Sequence, residues 1–151
     1  MSIKKIFFDA NIFNDIFDDK RATHQQSKEA LSYALQNDIE VYTSCDIATN
    51  IYYITSKYTT KIKALDALEV LKDTVEIIPF AKDELTLSIE LMRNDSDYKD
   101  MEDTIQYILA KKIECDLIVT HDKRFVSKEI ECVNAVGFME LLNNGIRDKR
   151  I

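Results

Sequence analysis

The sequence predicts one three-layer α/β/α domain built on a mostly parallel sheet of about four to five strands. Three observations predict it. Short apolar runs alternate with segments whose apolar residues recur every three to four positions, and such alternation implies parallel strands, which need crossover connections usually made by a helix. Only two glycines and one proline, Pro79, occur in 151 residues, too few for a many-turned all-β fold or a flexible linker. With 46% apolar and 31% charged residues the chain suits one globular domain with one core, where two domains would each be marginal. The domain is expected over residues 1–145, with a polar tail at 146–151.

The first element is the run Ile3 to Phe8, rich in β-branched and aromatic residues, which reads as a buried strand ending at Asp9. Ile12, Phe13, Ile16 and Phe17 follow at helical spacing with Asn11 placed to cap them, so the strand leads directly into a helix. Thr23-His24-Gln25-Gln26 has the form of a capping box, and Ala30, Leu31, Ala34 and Leu35 give the next helix one apolar face. Val41 to Thr43 is the second strand. From Asp46 to about Tyr58 an apolar stripe runs through Ile47, Ile51 and Ile54, with the polar Asn50 on the same stripe. Ile62, Leu65, Leu68 and Leu71 mark another helix, Val75 to Ile78 a strand stopped by Pro79, and Leu85, Ile89 and Met92 a further helix. A helix through Met101, Ile105, Ile108 and Leu109 leads to the strand Leu117 to Val119. A strand around Cys132 to Val136 and a short helix, Phe138 to Leu142, complete the domain, with Gly145 expected just past the helix end.

Several function classes are disfavoured. The run after Met1 stops at Asp9, too short for a signal peptide and far too short to span a bilayer. Three cysteines, Cys45, Cys115 and Cys132, lack any C-x-x-C spacing, so they read as reduced, mostly buried thiols of a cytoplasmic protein rather than a disulfide framework or zinc site. A formal charge of −7 argues against nucleic acid unless the acids are grouped to hold divalent cations, which would reverse the sign that a phosphate meets.

The acids are so grouped. Ligands of open parallel sheets bind outside the carboxyl ends of strands, where the strand order reverses. Asp9 follows the first strand and Asp122 closely follows Leu117 to Thr120, which places both on one rim of the sheet. Taken singly, either residue reads equally as a turn former or helix cap. Asp100 and Asp103 lie about 60° apart on one helix face, away from the apolar stripe. An acidic first turn complementing the helix dipole accounts for Asp100 and Glu102, but less well for Asp103, whose neighbours Tyr107 and Ala110 suggest partial burial. Crowded carboxylates cannot all stay ionised in a cleft without a counter-charge. Aspartates without clustered histidines suit Mg²⁺ or Mn²⁺, which prefer hard oxygen ligands, and a metal-assisted phosphodiester hydrolysis is the expected reaction. His24 and His121 add no second histidine at ligand spacing.

Four segments together resemble the PIN-domain ribonucleases of the VapC-like toxin kind: Phe7-Phe8-Asp9-Ala10-Asn11-Ile12, Thr49-Asn50-Ile51-Tyr52-Tyr53, Asp100-Met101-Glu102-Asp103-Thr104-Ile105-Gln106-Tyr107, and Thr120-His121-Asp122-Lys123-Arg124-Phe125. The resemblance covers nearly the whole chain. It implies a metal-dependent endoribonuclease, often a homodimer, held inactive by a small antitoxin. By position, Asp9 and Asp103 would be the principal metal ligands, Asp122 the acid completing the cluster, and Thr120 a supporting hydroxyl, with Asn11 and Asp100 beside them. Most members place a glutamate where this chain has Asn50; an amide oxygen can orient a metal-bound water but carries no charge to offset a cation. A hydrogen-bonded core asparagine is the alternative for Asn50. Lys123 and Arg124 are candidate substrate contacts, and Lys57, Lys61 and Lys63 form a second basic group that reads equally as solvated surface. Apolar surface near Ile12 to Phe17 and Ile51 to Tyr58 could serve a dimer or antitoxin.

Two other readings compete. A haloacid dehalogenase-like phosphatase would use Asp9 as nucleophile but want a second aspartate where Asn11 stands. A PIN-like binding module that has lost activity would keep the fold and most of the acids, with Asn50 as its main support.

Overall fold

In a computed structural model of the chain, residues 2–149 are described, with side chains described for residues 2–145. Five parallel strands and seven helices lie among them. They are β1 (Lys5–Phe8), α1 (Ala10–Ile16), α2 (His24–Gln36), β2 (Glu40–Ser44), α3 (Ile47–Tyr58), α4 (Lys61–Thr74), β3 (Glu76–Ile78), α5 (Lys82–Asn94), α6 (Met101–Lys112), β4 (Leu117–Val119), β5 (Glu131–Val133) and α7 (Ala135–Lys149).

The strand order is β3-β2-β1-β4-β5, all parallel, as expected of a helix-linked sheet. The chain winds outward from β1 in one direction and, after β3, returns to build in the other. The order therefore reverses between β1 and β4, whose register pairs Ile6 with Leu117 and Phe8 with Val119. The ladder continues past both strands, because Asp9 N–H donates to Val119 O and Thr120 N–H donates to Val133 O. These bonds hold Asp9 and Thr120 at the rim where ligands of such sheets bind.

Successive strand side chains point to opposite faces, so each face gathers its own core. Ile6, Phe8, Leu117 and Val119 pack under α1, α2, α3, α4 and α7, while Phe7 and Ile118 pack under α5 and α6. Phe8 meets Phe138 edge-on with ring centroids 6.3 Å apart. Burying a side chain of that size is worth about 1.5–3 kcal/mol. The expected three layers are present.

With so few glycines, α2 and α6 stop by another route. Asp38 and Glu114 take left-handed φ values of 54° and 59° just past the helix ends. The next residues, Ile39 and Cys115, are buried and donate back to Ala34 O and Ala110 O. This is a Schellman closure with its hydrophobic contact, made with Asp and Glu where glycine is usual. Each closure turns the chain directly into the following strand, β2 or β4.

Some local expectations are corrected. Asn11 lies inside α1, and Asp9 is the cap, its Oδ1 accepting from Ala10 N–H. Thr23 occupies the N-cap position of α2 without capping it, because its hydroxyl donates to Asp15 instead. On α4 the buried residues are Ala64, Ala67 and Leu71, while Ile62 is 73% exposed and Leu65 faces solvent. Cys115 is buried, whereas Cys45 and Cys132 are only partly so. The last helix is longer than expected and runs through Gly145. The boundary expected at residue 145 falls within it, and Arg150 and Ile151, the end of the expected tail, lie outside the described residues. No described helix is long and apolar enough to cross a membrane.

Candidate active site

Asp9 is the centre of the rim. It is buried, and three groups fix its carboxylate: Ala10 N–H donates to Oδ1 at 2.6 Å, and Thr120 Oγ1 and Asn11 Nδ2 donate to Oδ2 at 2.8 and 3.1 Å. Thr120 Oγ1 in turn accepts from Asp122 N–H at 3.1 Å and from Asn11 Nδ2 at 3.2 Å. One hydroxyl thus ties the end of β1 to the loop after β4. Burial pushes the Asp9 carboxyl up, the hydrogen bonds from Thr120 and Ala10 and the nearby amide of Gln106 oppose this, and the charge of Asp122 adds to the rise.

Asp103 comes from the first turn of α6, which Asp100 caps by accepting from Asp103 N–H at 2.9 Å. Burial first, then the charges of Asp9, Asp100, Asp122 and Glu102, push its carboxyl up to about 7. That coupling means that carboxylates from β1, α6 and the loop after β4 share one electrostatic neighbourhood. Asp46, at the head of α3, and Glu102 belong to it too: burial raises both, and for Glu102 the charges of Asp46, Asp9 and Asp100 contribute. Glu102 was expected merely to complement the helix dipole, but it is partly buried facing the other acids.

A cleft of about 620 Å³ opens beside these acids, lined in part by Lys99, Asp103, Asp122 and Arg124. Arg124 Nε lies 3.3 Å from Asp122 Oδ1 with its guanidinium almost wholly in solvent. Lys123 is exposed and does not line the cleft, whereas Lys99, which the sequence reading did not single out, does. The loop after β4 is anchored to the connection between α5 and α6, because Lys128 Nζ meets Asp95 and Asp97 at 2.7 and 2.8 Å and Lys128 N–H donates to the Tyr98 hydroxyl.

Asn50 is partly buried on α3, and its Oδ1 accepts from Asn14 Nδ2 at 3.1 Å. Its amide oxygen is therefore already engaged by α1. His121 is engaged as well: its Nε2 accepts from Ala135 N–H, which leaves the proton on Nδ1 to donate to Asp15 Oδ2 at 2.8 Å. Asp15 also accepts from Arg21 Nε, Thr23 Oγ1 and Ser27 Oγ. Burial would raise its carboxyl, but the bonds from His121, Thr23, Arg21 and Ser27 outweigh it and hold the group well below the usual carboxylate range. This network locks the loop after β4 to α1, α2 and the start of α7. Sequence reasoning missed it because its members are scattered through the chain without a shared spacing.

The donor set tests whether a divalent cation fits. Buried hard oxygens, raised carboxyl pKa values and no free imidazole suit magnesium or manganese rather than zinc. Among the described residues, no three carboxylate, imidazole or thiol groups stand close enough to form a closed cage. A magnesium-type site needs none, since it keeps several waters and takes only one or two carboxylates. The residues present fit such an ion.

The PIN domain family model matches residues 5–124, a span that holds all of these acids. The chain belongs to the PIN domain family. This PIN domain is 43% identical over 143 residues to the Ribonuclease VapC1 of Aquifex aeolicus (strain VF5), covering 95% of this chain and 99% of that protein. Its fold is similar to that of VapC20 of Mycobacterium tuberculosis, described as a sarcin-ricin loop cleaving toxin, with a TM-score of 0.68 at 17% identity over 80% of this chain and 92% of the other. VapBC2 from Rickettsia felis, solved bound to a promoter DNA fragment, matches with a TM-score of 0.67 at 17% identity over 86% and 98%. At that identity the likeness speaks for the fold alone.

Proposed function

We propose that this PIN domain is a divalent-cation-dependent endoribonuclease that hydrolyses RNA phosphodiester bonds as the toxin of a toxin–antitoxin pair. One observation carries the reading: at the point where the strand order reverses, the charges of Asp9, just past β1, and of Asp122, in the loop after β4, add to the burial that pushes the Asp103 carboxyl of α6 up. The 43% identity to a ribonuclease VapC1 supports the substrate class. A homodimer working in the cytoplasm completes the proposal.

Asp9, Asp103 and Asp122 hold Mg²⁺ or Mn²⁺. When bound, the ion supplies a nucleophile at neutral pH and stabilises charge on the phosphoryl oxygens. Thr120 and Asn11 fix the Asp9 carboxylate through Oδ2, which leaves one acceptor position on Oδ1 without a donor. Lys99 and Arg124 bind phosphates flanking the scissile bond, which supplies the positive charge that the chain as a whole lacks. Asp100 orients Asp103 by capping α6. The phosphatase alternative lacks its second acid, because Asn11 donates to both Asp9 and Thr120.

Cleavage of a structured RNA, with and without EDTA, tests the proposal beside Asp9→Asn and Asp103→Asn. Each variant should lose more than about 100-fold, since even removing a group behind a metal ligand costs 10–100-fold. Equal cleavage in every sample would overturn the reading. The engaged amide of Asn50 favours a second reading, a binding module without activity; wild-type protein that binds Mn²⁺ and RNA but cuts no substrate would select it.

A further inference from the structure

Gln106 is fully buried, and among the described residues neither atom of its carboxamide meets a hydrogen-bond partner. Leaving an amide so is costly, and native proteins keep few of them. The residue stands one turn beyond Asp103 on α6, about 60° round the same face. It also lies near enough to Asp9 to favour the ionised carboxylate, without the geometry of a formed hydrogen bond. A polar side chain with no polar partner is thus held against the acids of the rim.

Asp9 leaves room for one more ligand. A carboxylate offers about four acceptor positions, and Ala10, Asn11 and Thr120 fill three of them, which leaves one on Oδ1. A bond from Gln106 to that position would block it. The carboxamide forms no such bond, which leaves that position to a further ligand.

We infer that Gln106 is a positioning residue for the cation site, its carboxamide hydrogen-bonding a water of the bound ion's hydration shell beside Asp9 and Asp103. The inference rests on the nuclease reading and adds a residue to it. A water on a divalent ion is a strong donor, which Oε1 can accept, while Nε2 remains free to turn toward Asp9. The neutral amide meets that water without adding negative charge to acids that already repel one another. A glutamate there would worsen the crowding that pushes Asp103 up.

Gln106→Met, which keeps length and removes both polar atoms, tests the idea in the full chain. Mn²⁺ affinity is measured from the electron paramagnetic resonance of free Mn²⁺, and the melting temperature in EDTA beside it. The variant should bind Mn²⁺ roughly 10–100-fold more weakly, yet melt no lower than wild type without metal, because an unpartnered amide has been removed. Unchanged Mn²⁺ affinity would overturn the inference, as would a lower melting temperature in EDTA, the mark of an ordinary structural amide. Should the variant fail to fold, the wild-type Gln106 side-chain amide resonances decide, and they must shift on titration with Mg²⁺. Wild-type protein that binds no Mn²⁺ would remove the nuclease reading itself, an outcome distinct from wild type and variant binding equally.

Discussion

Thr120 Oγ1 donates to Asp9 Oδ2 across 2.8 Å although the residues stand 111 positions apart. The bond spans the point where the strand order reverses, and the same hydroxyl accepts from Asp122 N–H. Thr120→Val keeps the shape and removes the hydroxyl. It should lower stability by about 1–3 kcal/mol, because buried polar partners are left unpaired, and weaken Mn²⁺ binding roughly 10–100-fold. Denaturant unfolding and Mn²⁺ titration check the two effects separately.

The raised carboxyl of Asp103 predicts an unusual pH dependence for the metal-free protein. Its folded value of about 7 lies above the ~3.9 of an unfolded aspartate, so the folded state binds more protons between the two. The stability this group contributes is full below ~4 and is lost as pH rises through about 7. In EDTA the melting temperature should fall from pH 5 to pH 8, and Asp103→Asn should flatten that fall. A wild-type melting temperature that rises over this range would contradict the prediction.

Asp15 has the opposite sign. Its carboxyl is held low, so its contribution is present above ~3.9 and disappears only as pH falls further. Asp15→Asn leaves Arg21 and three other donors facing a neutral amide, and should cost roughly 3 kcal/mol or more by breaking a buried ion pair. Because His121 loses its anchor, the loop that carries Asp122 should also exchange its amide protons faster in hydrogen-exchange measurements.

Lys99→Ala and Arg124→Ala should weaken RNA binding with little sequence preference. Each removes about one phosphate contact, so the slope of log affinity against log salt should fall by roughly 0.7–1 per variant. Lys123→Ala, outside the cleft, should leave the slope unchanged. Binding titrations at several salt concentrations, on a variant that does not cut, distinguish the three.

Much of this was legible locally. The run Ile6-Phe7-Phe8 ending at Asp9, and Leu117-Ile118-Val119 ending near Asp122, told both the strands and the rim, because in a parallel sheet the carboxyl ends share one side. Helical faces were harder to read. On α6 the expected stripe began at Met101, which is 38% exposed, while Gln106 is buried at 0%. Spacing shows which residues share a face, but burial depends on what the sheet and α5 lay over it. Gln106 carried one faint signal, a polar residue within an apolar helix one turn from Asp103. Asn50 was expected on the inward stripe of α3; it is partly buried there, and only the fold shows Asn14 holding its oxygen.

What the amino-acid order determined alone was the set of elements and the edge of the sheet on which the acids fall, since periods of two and about 3.6 residues and the need for crossovers are local properties of the chain. Tertiary structure decided which polar groups meet: Thr120 with Asp9, His121 with Asp15, and Gln106 with no hydrogen-bond partner among the described residues. The reason is that hydrogen bonds and desolvation act over a few ångströms between segments that stand 106 and 111 residues apart in these pairs, and no local period records which segments become neighbours.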